Sequence, residues 1–171
     1  MKLLVLALLV AVPLGGRAAA LSPELPDPSG FRTLLSKAAL PAELRESLHR
    51  FLAAPAVSAG LEGEQQPRLD DLLADPGEPY QATDTVVLPS HLAPRRLILA
   101  GDGTAPFVAY EHGGIARHGH LVFFARRDGT LQVERHFIFA SSSPRPETLD
   151  VAALWREVRN GHPMPARDRD I

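Results

Sequence analysis

Residues 95–140 read RRLILAGDGTAPFVAYEHGGIARHGHLVFFARRDGTLQVERHFIFA, and the punctuation of this stretch decides the fold. Four runs, 95–100, 105–112, 119–126 and 130–140, concentrate Ile, Val, Leu, Phe and Tyr. Asp102-Gly103, His112-Gly113-Gly114 and Asp128-Gly129 separate them. β-Branched and aromatic side chains pack well on a pleated surface, while Asp-Gly and Gly-Gly supply the positive φ of tight hairpin turns. The pattern predicts four strands with short connections, an antiparallel meander. In 130–140, Leu131, Val133, Phe137 and Phe139 alternate with Gln132, Glu134 and His136, which predicts one packed and one partly wet face. Residues 121–125 are apolar throughout, as suits a strand covered on both sides.

On the N-terminal side, 83–88 is β-prone but bracketed by Pro89 and Pro94, so it reads as a fifth strand at an edge. Residues 68–74 fit one or two helical turns ended by Asp75-Pro76-Gly77, and 54–67, rich in Ala, Pro, Gly, Glu and Gln, reads as a flexible connector. Further upstream, Phe31, Leu34, Leu35 and Ala38 have helical spacing behind Ser29. Pro41 ends that run and opens a second helix with the stripe Leu44, Leu48, Phe51 and Leu52. On the C-terminal side, Thr148 or Asp150 caps a helix whose apolar stripe is Val151, Leu154, Trp155 and Val158. Asn160-Gly161 and Pro163 close it, and 164–171 reads as a frayed tail. The expected architecture is α+β: two N-terminal helices, a four- to five-stranded antiparallel meander, and a C-terminal helix packed on one face of the sheet.

The first twenty residues read as an address. Met1-Lys2 is a positive start, 3–14 is apolar, and Ala18-Ala19-Ala20 offers an A-x-A exit, the pattern of a secretory signal peptide. The apolar run is shorter than the about 20 residues of a membrane span, and no Cys stands at the exit to carry a lipid. The expected mature chain is soluble, without membrane span or lipid anchor, and periplasmic or secreted. It begins with an extended Pro-rich lead-in over 21–30 and folds as one domain over 31–163. Without Lys2 and Arg17, the 18 basic residues of the 171-residue chain fall to 16 against 20 acidic ones, a charge of −4 that gives nucleic acid no electrostatic purchase. The complete absence of Cys excludes disulfides, thiol nucleophiles and Cys-ligated zinc or iron–sulfur centres.

G-x-S-x-G, H-E-x-x-H, G-K-[ST] and EF-hand patterns are all missing from the sequence. Histidine placement stands out instead. Four of the seven histidines, His112, His118, His120 and His136, fall within 25 residues. His118 and His120 are two apart in one strand and therefore share a face; the preceding hairpin returns the chain so that His112 can sit opposite either. Such a trio, with Glu111, Tyr110 or His136 nearby, suits a divalent transition metal such as Zn, Cu, Ni or Fe. The placement of His136 depends on register. A two-residue turn at Asp128-Gly129 sets it opposite Leu121 and away from His120, whereas a three-residue loop Arg127-Asp128-Gly129 with a bulge sets it opposite His120 and in the cluster. The plainer reading makes these histidines rim residues at a wet strand end.

The turn Glu111-His112-Gly113-Gly114 with Arg117 is the candidate ligand site, because consecutive glycines admit close approach of a ligand or partner; in the plainer reading they supply positive φ. The pairs Arg95-Arg96 and Arg126-Arg127 read as charges that discourage edge pairing, with a small anion at Arg117, Arg126 and the histidines as an option. The reading favours an exported, non-enzymatic domain that binds a protein or small ligand through the glycine/histidine end of its sheet. One alternative is a histidine-based metal protein. Another is an envelope accessory protein docking through the 83–88 edge.

Overall fold

The computed structural model describes residues 24–58, 67–82, 92–113, 118–141 and 150–166. The segment read as a signal peptide, the stretch 83–88 read as an edge strand, Gly114, Arg117 and Thr148 lie outside the described residues. The strands are β1 (Arg32–Leu34), β2 (Leu73–Ala74), β3 (Arg95–Asp102), β4 (Phe107–His112), β5 (His118–Arg127), β6 (Thr130–Ala140) and β7 (Met164–Pro165). The helices are α1 (Ala42–Ser58), α2 (Leu69–Leu72) and α3 (Val151–Asn160). The fold is α+β, with the expected meander β3-β4-β5-β6 at its centre. β7 extends it beyond β6, while β1 (antiparallel) and β2 (parallel) pair with opposite ends of β3. Among the described residues no helix is long and apolar enough to cross a membrane.

The strand alternation sorts the core into two layers. Leu97, Val108, Tyr110, Val122, Phe124 and Leu131 face α1, whose Leu44, Leu48 and Leu52 cover them. Leu99, Phe107, Ala109, Leu121, Phe123 and Phe139 face α3, which contributes the expected stripe Val151, Leu154, Trp155 and Val158. Trp155 stacks obliquely on Phe107 with ring centroids 4.6 Å apart, and its indole N–H donates to Pro26 O at 2.8 Å. The Asp150 side chain caps α3 by accepting from Ala153 N at 2.6 Å.

Three segments depart from the sequence reading. The first expected helix, starting at Phe31, is replaced by β1 and a 3-10 turn over Lys37–Ala39. Phe31 packs in the α3 layer and Leu34 in the α1 layer, while Leu35 is 47% exposed, so the supposed stripe has no common face. Pairing with β3 satisfies the backbone of this short segment, and that tertiary gain overrides a weak helical pattern. Helix α1 continues through Ser58, past the expected start of the connector. In the expected tail, Met164–Pro165 pairs with β6.

The strand β6 departs most instructively. Asp128 (φ 50) and Gly129 (φ 80) form a two-residue turn, so Arg127 opposes Thr130 and Phe124 opposes Val133. The register then shifts: Phe123 opposes Arg135 and Val122 opposes His136, leaving Glu134 as the extra residue of a β-bulge. Leu131 consequently faces α1, while Phe137 and Phe139 face α3. The single packed face expected for 130–140 is two faces, exchanged at the bulge.

Candidate metal centre

The hairpin β4–β5 builds the site. In its register His112 opposes His118 and Tyr110 opposes His120, so all four side chains emerge on the α1 side of the sheet at the end away from the Asp128-Gly129 turn. His112, His118 and His120 each bring a ring nitrogen to within 4.8 Å of the other two. His112 and His118 are half-buried at the rim; His120 is 1% exposed and forms the floor. Tyr110 stacks on the His120 ring at 4.7 Å with an interplanar angle of 7°.

His136 stands behind the trio. The bulge at Glu134 gives it the same face as His120 without placing it directly opposite, so neither simple turn register describes it. His120 Nδ1 lies 2.8 Å from His136 Nε2, and Phe51 of α1 meets the His136 ring edge-on at 5.3 Å. With Nδ1 engaged by His136, His120 Nε2 is the nitrogen left to the trio; it is buried and has no hydrogen-bond partner. Only the tautomer in which His120 Nδ1–H donates to His136 leaves Nε2 a free lone pair. This is the arrangement by which an outer acceptor fixes the tautomer of a metal-ligating imidazole. Burial first, and then the charge-bearing neighbours His136, His118, His112 and Arg95, push the His120 pKa down to about 2, so the ring is neutral throughout the physiological range.

The remaining candidates separate from this cluster. Glu111, one residue from His112, points through the opposite face, because successive strand residues alternate. It is buried there, accepting from Arg96 at 2.7 Å, Tyr80 at 3.0 Å and Ser141 at 3.1 Å. Gly113 is buried, and a Cβ on it would collide with the backbone of Gln81 and Ala82. Its lack of a side chain thus admits the chain's own backbone, and among the described glycines only Gly77 and Gly129 have positive φ. Arg126 lies at the opposite end of β5 in an ion pair with Glu43, which removes it from any anion site at the histidines.

Three residues were read wrongly or too lightly from sequence. Arg95 and Arg96 do not guard an edge: alternation sends one to each face, Arg96 to Glu111 and Arg95 to the histidine face, where it is 7% exposed. Arg95 opposes His112 in the β3–β4 register. Tyr110, noted only as a neighbour of the histidines, is fully buried beside the Arg95 guanidinium. The usable signal was a pair of arginines opening a strand packed on both sides. No protein-family model, curated protein or solved structure gives a significant match to this chain.

Proposed function

We propose that the protein binds one divalent transition-metal ion through His112, His118 and His120. The observation that carries this reading is the convergence of three imidazole nitrogens within 4.8 Å, with the buried floor nitrogen, His120 Nε2, lacking any other partner. Zn–N bonds of about 2.0–2.1 Å give a tetrahedral N···N edge of about 3.3 Å. Binding would draw the two rim imidazoles toward the buried floor to close the difference. The chain has no Cys, so imidazole and carboxylate are its metal-seeking groups, and Glu111 faces the other way. An all-imidazole set suits Zn, Cu(II), Ni or Fe(II) better than Ca or Mg, which prefer oxygen.

The test is titration of the chelator-treated full chain with Zn²⁺, read by calorimetry and by thermal melting. One ion should bind per chain and raise the melting temperature, since a ligand that favours the native state must stabilise it. H136F, which removes the acceptor behind His120, should weaken binding by about 10–100-fold, the range for loss of an outer partner. H118A, which removes a ligand, should weaken it more. Absence of binding and of any melting shift at excess Zn²⁺ refutes the proposal, as does binding unchanged in H118A.

A further inference from the structure

Several charged groups elsewhere in the described fold find opposite charge. Lys37 Nζ meets Asp70 at 3.0 Å and Leu73 O at 2.7 Å, Arg96 meets Glu111, and Arg126 meets Glu43. Arg95 is different. It is more than nine-tenths buried, its Nε has no hydrogen-bond partner, and among the described residues no carboxylate meets it. The Tyr110 hydroxyl lies close enough to the guanidinium to interact with it, yet neither this oxygen nor Arg95 Nε has a partner at full hydrogen-bond geometry. Two buried donors are therefore unsatisfied on one face, beside His120 and His112.

A buried polar group without a partner is destabilising, and an uncompensated buried cation more so. Such groups persist where a ligand satisfies them. A divalent ion on three neutral imidazoles would add two further positive charges next to Arg95. Three protein ligands also leave a metal with an open coordination position. The charge and the open position ask for the same thing, an anion that reaches both.

Building on the metal reading, we propose that this site binds a small oxyanion, one oxygen on the metal and another accepting hydrogen bonds from Arg95 Nε and the Tyr110 hydroxyl. The register supports this bridge: Arg95 opposes His112 across β3–β4, and Tyr110 opposes and stacks on His120 across β4–β5, so each donor adjoins a ligand.

The experiment titrates acetate and inorganic phosphate, as planar and tetrahedral oxyanions, into full-length protein loaded with Co²⁺, whose visible spectrum reports a change of ligand. At least one anion should perturb the spectrum saturably and bind the metal-free chain more weakly. R95Q should lower anion affinity by about 10–100-fold, the loss of a charged hydrogen bond, and Y110F by about 2–10-fold. Metal affinity without anion should be unchanged or higher in R95Q, because a repelling charge is gone. Y110F preserves ring and stacking, so it remains informative if R95Q fails to fold. Normal metal loading with no response to either anion overturns the inference and leaves the metal reading standing, as does anion affinity unchanged in both variants. Failure of wild-type protein to load metal is seen before any anion is added; it refutes the metal reading and this inference with it.

Discussion

Acidification should unfold the metal-free protein through His120. An unfolded chain protonates this imidazole near its ordinary value of 6.5, whereas the folded chain resists until about pH 2. Across that window the unfolded state holds more protons, so stability rises with pH. The stabilisation is fully present above about pH 6.5 and is lost progressively as pH falls toward 2. Each unit costs about 1.4 kcal/mol for one proton, so acidifying to pH 4.5 removes about 3 kcal/mol. For a domain stable by about 5–15 kcal/mol this is a large share. With a urea slope of about 1–3 kcal/mol/M it moves the midpoint down by about 1–3 M. The single tryptophan, Trp155, is buried in the α3 layer and supplies the fluorescence signal for urea titrations in chelator at pH 7.5, 6.0 and 4.5. The charge-bearing groups facing His120 are His136, His118, His112 and Arg95. The decisive comparison is therefore with H120F, which keeps an aromatic ring against Tyr110 and removes one titrating site. Its stability should depend on pH less steeply by about one proton. Parallel pH profiles for H120F and wild type would refute the assignment of a buried, neutral His120.

The opposite face of the hairpin makes its own demands. E111A should cost about 3 kcal/mol in urea unfolding, because it strips the acceptor from Arg96 and Tyr80. E111Q, which retains one acceptor oxygen, should cost less, and equal losses would count against the network. G119A sets a methyl group against the Phe139 ring and should destabilise by about 1–3 kcal/mol through overpacking; a midpoint within error of wild type would show that the ring can yield.

Much of the sheet was legible because its signals are local. The Asp128-Gly129 turn and the dense apolar runs located the meander strands to within about two residues, and the spacing of Val151, Leu154, Trp155 and Val158 located α3. The histidine trio was legible for the same reason, since side-chain alternation and one hairpin suffice to bring His112, His118 and His120 together. What escaped depends on distant partners. Residues 32–34 form a strand because β3 offers an edge more than sixty residues away. Arg95 is buried where β3 is flanked by β2 and β4, and no nearby residue announces that. The place of His136 turned on a bulge in the middle of β6, which neither turn register anticipated.

That bulge separates what residue 134 says from what it does. The Glu134 side chain is exposed, and its carboxylate meets only Arg135, at 3.8 Å among the described ion pairs. Its chemistry is therefore nearly dispensable, yet its presence sets the phase of every residue that follows in β6. With one peptide unit fewer, even and odd positions would trade places. His136 would turn into the aromatic α3 layer, and Phe137 and Phe139 would turn toward the imidazoles. Position 134 thus carries its information as a count rather than as an identity. Whatever side chain stands there, the strand keeps its meaning only while the tally is unchanged.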